Sequence, residues 1–325
     1  MATAPGTRPG PGFLDPVTLA RIDNLELLAR TVVDGFINGL HRSPYLGLSL
    51  DFAEHRPYNP GDDIRRIDWR LYARTDRYYV KEFEAETNAN FTVLLDVSAS
   101  MDYGSGEVTK LDYARYLAAC LSYFSRQQRD RVGLVTFDRG VVDYVPPSAR
   151  HLDVVLHTLD RVEPGVRRGG ADGERGTGNG ANAPGEAERG LGGAVDHVAD
   201  RVRRRGIVVL VSDFYEEPDA VVDAVRRLKY RGNEVIVFHV LDPAEVEFPF
   251  EEARHFVDLE SGERIPVVPG TMRARYRELV DEHIQALSRG FSEEQIDYAL
   301  LDTATPLDYA LFQYLSDRER LSRVR

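Results

Sequence analysis

The sequence contains a single cysteine, which excludes an internal disulfide bond because a disulfide needs two thiols. It also has no apolar run long enough to span a bilayer and no signal-peptide pattern. We therefore expect a cytoplasmic protein with no membrane span. Cys120 lies among apolar residues of a helical pattern, which favours a buried packing thiol over a nucleophile.

Several common catalytic and binding signatures are missing as well. The eight histidines show neither HExxH nor another paired ligand spacing, and there is no GxSxG, Walker A or GxGxxG motif. Positive charge is in deficit, with a net charge of −12. That balance argues against a nucleic-acid binder that works by neutralising phosphates.

The most informative stretch that is present is FTVLLDVSASM, from Phe91 to Met101. An apolar, extended run leads into Asp96, and Ser98 and Ser100 follow at alternate positions. The pattern predicts a buried parallel strand that delivers one carboxylate and two hydroxyls to its carboxyl end, where ligands bind in open α/β sheets. Such hard oxygen ligands suit Mg²⁺ or Mn²⁺ rather than Zn²⁺.

A second apolar run, GIVVLVSD, ends in Asp213 and has helical patterns on both sides. If this strand neighbours the first, Asp96 and Asp213 face one another across a crevice, with Ser98, Ser100 and Ser212 between them. The two strands together predict an oxygen-lined cation site.

Strand patterns alternate with helical patterns along most of the chain, which predicts an α/β fold with a doubly wound, mostly parallel sheet. The runs 131–137 and 140–145 are joined by a tight turn, so they predict one antiparallel edge strand. A helix is predicted to begin with Asp15 as its cap and Pro16 at its first position, and to continue to about Gly35 or Gly39.

The same patterns predict the domain organisation. Residues 1–12 are expected to be a disordered tail, residues 13–90 an N-terminal helix and β region, and residues 91–320 the sheet domain. Residues 164–193 contain eleven glycines and are expected to form a mobile loop. Residues 243–270 are predicted to form a small β insertion, with two extended runs about a Ser-Gly turn.

The acidic residues Asp62, Asp63 and Asp68 raise a second metal-site hypothesis. Four arginines lie beside them, which favours a network of ion pairs and caps instead. Trp69, the only tryptophan, is predicted to be a packing anchor whose replacement by Ala costs about 3–5 kcal/mol if it is buried.

The DxSxS motif at residues 96–100, with a later strand ending in Asp213, resembles the metal-ion-dependent adhesion site of von Willebrand factor A-type domains. Nearly the whole chain is similar to the bacterial domain-of-unknown-function family 58, through the blocks RPYNPGDDIRRIDWRLYARTDRYYVKEFEAE, LDPAEVEFPF and IDYALLDTATPLDYAL. The resemblance runs from about Phe13 to Leu315, with the blocks in the family's order.

The resemblance implies a von Willebrand factor A-like sheet domain that binds Mg²⁺ or Mn²⁺ through Asp96, Ser98, Ser100 and Asp213. Adhesion-type sites also take a third ligand from a Thr in the loop that precedes the helix leading into the Asp213 strand. The expected position falls near Arg189, where there is no Thr, and Thr177 is the nearest candidate.

By the same resemblance we expect a non-enzymatic interaction module, an adaptor or assembly factor for a MoxR-type AAA+ ATPase, which binds a partner's carboxylate through the metal. One alternative is a metal-dependent hydrolase in which Asp96 and Asp213 hold an ion that activates water. Another is a degenerate, metal-free interaction domain, in which Asp96 and the serines only cap the following helix.

Overall fold

A computed structural model describes residues 15–42, 55–57, 69–81, 89–165, 191–193, 195 and 205–314. Several sequence predictions lie outside these residues: the tail 1–12, most of the glycine-rich loop, Thr177, the acidic residues Asp62, Asp63 and Asp68, and the side chain of Trp69. Among the helices that are described, none is long and apolar enough to cross a membrane.

The chain divides into two compact units, residues 34–88 and the remainder. In the smaller unit, the short strands β1 (His55–Pro57) and β2 (Tyr79–Lys81) pair antiparallel, and helix α3 (Trp69–Thr75) lies between them in sequence. The predicted division at residue 90 into an N-terminal region and a sheet domain stays a prediction.

The larger unit is built on a six-stranded sheet. Its strands are β3 (Asn90–Asp96), β4 (Arg131–Phe137), β5 (Val141–Ser148), β6 (Gly206–Ser212), β7 (Glu234–Leu241) and β10 (Asp297–Asp302). The spatial order is β10-β7-β6-β3-β4-β5. All neighbours pair parallel except β4 and β5, so the mostly parallel sheet with one antiparallel edge strand is confirmed.

Helices cover both faces of this sheet because its central strands carry apolar side chains on both sides. On one face, Leu94 of β3 joins a core with helices α6 (Pro218–Tyr230) and α8 (Pro269–Glu293). On the other face, Phe91 meets the ring of Tyr314, which also contacts Phe124 of helix α4 (Lys110–Gln127). Further helices that the structure describes in this unit include α5 (Leu152–Asp160), α7 (Pro243–Glu247) and α9 at residues 307–314.

The N-terminal helix differs from its prediction. It begins as expected, with the Asp15 side chain accepting a hydrogen bond from the Val17 amide, but it is not one helix. Helix α1 (Pro16–Leu19) ends, and α2 (Leu25–Arg42) starts afresh. Asn24 explains the break, because its side chain accepts a hydrogen bond from the Leu27 amide at 2.8 Å and so caps a new helix.

Within the segment 243–270, predicted as a small β insertion, the chain forms helix α7 and then a two-stranded antiparallel hairpin. Strand β8 (Arg254–Val257) pairs with β9 (Arg264–Val267), outside the main sheet. Most side chains of both strands are exposed, so the hairpin projects from the protein rather than adding to its core.

Candidate functional site

The candidate site lies where the strand order of the main sheet reverses. From β3 the chain proceeds to β4 on one side, and the later strands β6, β7 and β10 lie on the other side. Because β3 pairs parallel with both β4 and β6, the carboxyl ends of β3 and β6 flank a crevice. In open α/β sheets this is the position at which ligands bind.

The DxSxS loop, residues 96–100, leaves β3 at this crevice. Asp96 is buried, and its Oδ1 accepts a hydrogen bond from the Ser98 amide at 2.9 Å. A turn of 3₁₀ helix (Ala99–Asp102) then brings the hydroxyl oxygens of Ser98 and Ser100 within 3.0 Å of each other. The loop therefore presents two converging hydroxyls above one carboxylate.

The end of β6 completes the predicted assembly. The Ser212 hydroxyl donates to Asp96 Oδ2 at 2.5 Å, and its oxygen accepts from the Phe214 amide. Burial raises the pKa of Asp96 to about 7, and the nearby Asp213 carboxylate adds to the rise, while hydrogen bonds from Ser212 and Ser98 oppose it. The structure thus brings together the residues that the two strand ends predicted, and their role as metal ligands stays a prediction.

Lys110 is the residue that sequence reasoning missed. Its ammonium lies 2.8 Å from Asp213 Oδ2 and 2.7 Å from Glu245 Oε1, and its side chain is 0% exposed. The ring of Tyr215 covers it, with the ring centroid 4.8 Å from Nζ. A signal was present, because Lys110 is the first residue of α4, where a positive charge opposes the helix dipole and needs another reason to be there.

Glu245 is the second missed residue, and it reaches the site from α7. Asp242 and Glu245 form a capping box at the start of this helix, which the sequence DPAE could have indicated. Burial raises the pKa of Glu245, and Lys110 partly offsets the rise. Two carboxylates, those of Asp213 and Glu245, therefore meet one ammonium group at this edge, while Asp96 is bound by the Ser98 amide and the Ser212 hydroxyl.

His239, on β7, is hydrogen-bonded to the backbone of the site at Asp213. Its Nε2 lies 2.8 Å from the Asp213 carbonyl oxygen, which can only accept, so Nε2 carries the proton. The Tyr298 hydroxyl lies 2.7 Å from Nδ1. Burial lowers the pKa of His239 to about 3, so the ring is neutral and both its nitrogens are engaged.

The donor set fits a hard divalent cation. Mg²⁺ bonds oxygen at about 2.0–2.1 Å in octahedral geometry, which places adjacent ligand oxygens about 3 Å apart. The hydroxyl oxygens of Ser98 and Ser100 are 3.0 Å apart. Within the described ranges, no group of three or more His, Cys, Asp and Glu side chains could hold a metal ion, so a cation here would rely on hydroxyls and water.

Two other candidates from the sequence have different outcomes. Thr177, the nearest substitute for the expected loop Thr, lies outside the described residues. Cys120 is 0% exposed in α4, and burial raises the pKa of its thiol. The prediction of a packing thiol is confirmed.

The fold and the edge residues define a class: an α/β protein whose switch point carries paired hydroxyls, two facing aspartates and a buried lysine. The family model described as protein of unknown function DUF58 matches residues 54–286. The chain belongs to this family, as its sequence blocks predicted.

The chain is also similar to several relatives and solved structures. Uncharacterized proteins of Mycobacterium bovis and Mycobacterium tuberculosis are each 30% identical over 250 residues, covering 76% of this chain and 73% of the relative. The conserved hypothetical protein BatB of Bacteroides thetaiotaomicron is 17% identical, with a TM-score of 0.46, 71% of this chain covered and 99% of that one. An aerotolerance-related membrane protein of Bacteroides fragilis gives 17% identity, a TM-score of 0.45, and coverage of 69% and 97%.

Proposed function

We propose that this protein is a non-enzymatic interaction module, an adaptor or assembly factor for a MoxR-type AAA+ ATPase. Its contact surface is the edge formed by the DxSxS loop, in the manner of a von Willebrand factor A-like domain. Mg²⁺ or Mn²⁺ is held by Asp96, Ser98 and Ser100, with Asp213 nearby, and a carboxylate of the partner completes the site.

The observation that carries the proposal is the Ser98–Ser100 hydroxyl pair, 3.0 Å apart and half-buried beside Asp96. When bound, the cation supplies a positive charge with room for an external oxygen ligand. Electrostatics favour such a charge, because burial and the neighbouring Asp213 both raise the pKa of Asp96, and a nearby cation opposes both effects.

A partner's carboxylate is a better fit than a reacting substrate. Water activation needs a general base within reach of the metal-bound oxygen. Among the described residues at this edge, His239 has both nitrogens engaged, and Lys110 binds two carboxylates. The hydrolase alternative, with Asp96 and Asp213 as its metal ligands, has no comparable support.

The metal-free alternative rests on Lys110. Its buried ammonium neutralises the negative charge of Asp213 and Glu245, which a bound metal ion would otherwise help to neutralise. In that case the domain would still bind a partner at this edge, but without a response to divalent cations.

The test is affinity capture from cytoplasmic and membrane fractions of the native cell, in the presence of Mg²⁺. Bound proteins are identified by mass spectrometry, and separating the fractions also tests the proposed cytoplasmic location. Wild type and Asp96→Ala are compared, with Asp102→Ala as the matched control, because Asp102 is an exposed carboxylate beside the same loop.

We expect wild type and Asp102→Ala to recover a MoxR-type AAA+ ATPase, and Asp96→Ala to lose it. Equal recovery by all three proteins would keep the adaptor role but remove the metal site as its contact. No recovery by any of them would contradict the adaptor role.

A further inference from the structure

The tip of the β8–β9 hairpin, residues 258–263, reaches the candidate site. The Ser100 amide donates a hydrogen bond to Glu260 Oε1 at 3.0 Å. The two residues are 160 positions apart in the sequence, so the contact is tertiary and not a local turn. A carboxylate of the chain itself thus lies against the loop to which the proposed function assigns a partner's carboxylate.

The hairpin is held against the protein by the aromatic ring of Phe256, which lies close to the tip. The ring of Phe256 stacks on Phe248 with centroids 5.6 Å apart, and it meets Phe250 edge-on at 5.1 Å. The other side chains of the two strands are mostly exposed. The contacts of Phe256 therefore set the direction of the hairpin and the position of its tip.

The conformation of the tip presents Glu260 outward. Asp258 accepts hydrogen bonds from the Glu260 amide at 2.9 Å and from the Ser261 hydroxyl at 2.5 Å. Gly262 takes a φ of +75°, which L side chains rarely adopt. The neighbouring Leu259 is 44% exposed, so the tip offers a carboxylate beside an apolar side chain.

We propose that Glu260 is a built-in competitor, which covers the site until a partner's carboxylate displaces it. This inference rests on the proposed function, because it names how the same site is regulated. A second carboxylate cannot approach the Ser100 amide closely while Glu260 is there, since like charges repel and the donor is occupied. A single exposed hydrogen bond is weak enough for displacement.

The contact also indicates the chemistry of the partner. A segment that replaces the tip should carry Asp or Glu next to an apolar residue, as Leu259 and Glu260 do. Because the competing state lowers the fraction of protein with an uncovered site, the apparent affinity for the partner is reduced by that fraction.

The first test measures amide hydrogen exchange at Ser100 in wild type, Glu260→Ala and Glu263→Ala. Glu263 is a matched control, because it lies in the same tip and bonds Asp258 and Ser261 through its backbone. Losing one hydrogen bond of about 1 kcal/mol should speed Ser100 exchange roughly fivefold in Glu260→Ala alone. Unchanged exchange would overturn the proposal, whether or not the protein is an adaptor.

The second test titrates each protein with a purified MoxR-type AAA+ ATPase in Mg²⁺. We expect Glu260→Ala to bind up to roughly fivefold more tightly than wild type, as removal of a competing state of that strength allows. Glu260→Gln, which keeps an acceptor but no charge, should fall between them, and Glu263→Ala should match wild type.

The outcomes separate the two proposals. If wild type binds and Asp96→Ala does not, but Glu260→Ala binds no better than wild type, the adaptor stands and the competitor is overturned. Weaker binding by Glu260→Ala would make Glu260 part of the contact surface, which also overturns it. If no variant binds, both proposals are contradicted, and Ser100 exchange still reports whether the hairpin contact exists.

Discussion

The two halves of the candidate site handle negative charge in opposite ways. On the β6 half, Asp213 is buried and bound directly by the ammonium of Lys110, which also binds Glu245. On the β3 half, Asp96 is held by hydroxyl and amide donors, with the half-buried Ser98 and Ser100 above it.

The difference indicates which half belongs to the structural framework and which half can accept an external cation. A carboxylate compensated by a buried cation is part of the framework, because removing either charge leaves the other without a partner. A carboxylate compensated only by neutral donors retains a deficit of positive charge, and burial raises its pKa. The β3 half is therefore where an external cation gains most.

The largest effect should come from removing the compensating charge. Lys110→Met leaves Asp213 and Glu245 opposite an apolar side chain, and we expect a loss of about 3–5 kcal/mol in the free energy of unfolding, measured in urea. Arg275→Met, which breaks an exposed pair with Glu278, should change far less. Similar losses of unfolding free energy in both variants would show that the buried charge of Lys110 stabilises the fold no more than a surface charge does.

The next effect tests whether the β3 half accepts a cation. Mn²⁺ at a hundredfold excess over its dissociation constant should stabilise the protein by about 2.7 kcal/mol, seen as a rise in melting temperature. Asp96→Ala should abolish the rise and Asp102→Ala should keep it. The same rise in Asp96→Ala would show that the cation binds elsewhere.

A further effect depends on pH and concerns the neutral His239 behind Asp213. Its folded pKa of about 3 lies below the ordinary value of 6.5, so the unfolded state binds the extra proton first as pH falls. Its contribution to stability is present above pH 6.5 and is lost at up to about 1.4 kcal/mol per pH unit on the way to pH 3.

The measurement is the difference in stability between wild type and His239→Asn across this range, with divalent cations chelated. Other titrating groups cancel in that difference. A difference that does not vary with pH would mean that His239 is not held neutral, and that water reaches the β6 half more easily than its burial indicates.

The smallest effect is expected from the hydroxyls of the β3 half. Ser98→Ala or Ser100→Ala should each cost no more than about 1 kcal/mol in the free energy of unfolding, because each removes one half-buried hydrogen bond. Both should nevertheless reduce the Mn²⁺-dependent rise in melting temperature. A loss above 2 kcal/mol would place these hydroxyls in the framework and remove the distinction between the halves.

Much of the fold followed from local patterns. The apolar runs ending in Asp96 and Asp213 are neighbouring parallel strands, and the hairpin after α4 is the antiparallel edge. These features were accessible because strand burial and short turns leave periodic signals in sequence. The prediction of one N-terminal helix was wrong, because a side-chain cap at Asn24 outweighed a continuous apolar stripe.

The candidate site was predictable only in part. Asp96, Ser98 and Ser100 share one short motif, so their proximity follows from the chain itself. Lys110 bonds both Asp213 and Glu245, which lie far from it in the sequence, and no local pattern predicts that these side chains converge. The contact of Glu260 is harder still to predict from sequence, since it depends on the direction in which a surface hairpin projects.

The sequence by itself determined the alternating α/β order, the family, and the carboxylate and hydroxyls at the end of β3, because these depend on residue type and short-range periodicity. Only the tertiary structure decided how the buried charges are compensated and which carboxylate covers the Ser100 amide. Those outcomes depend on distances between elements far apart in the chain, and the Coulomb energy and the hydrogen bonds of a site are set by those distances.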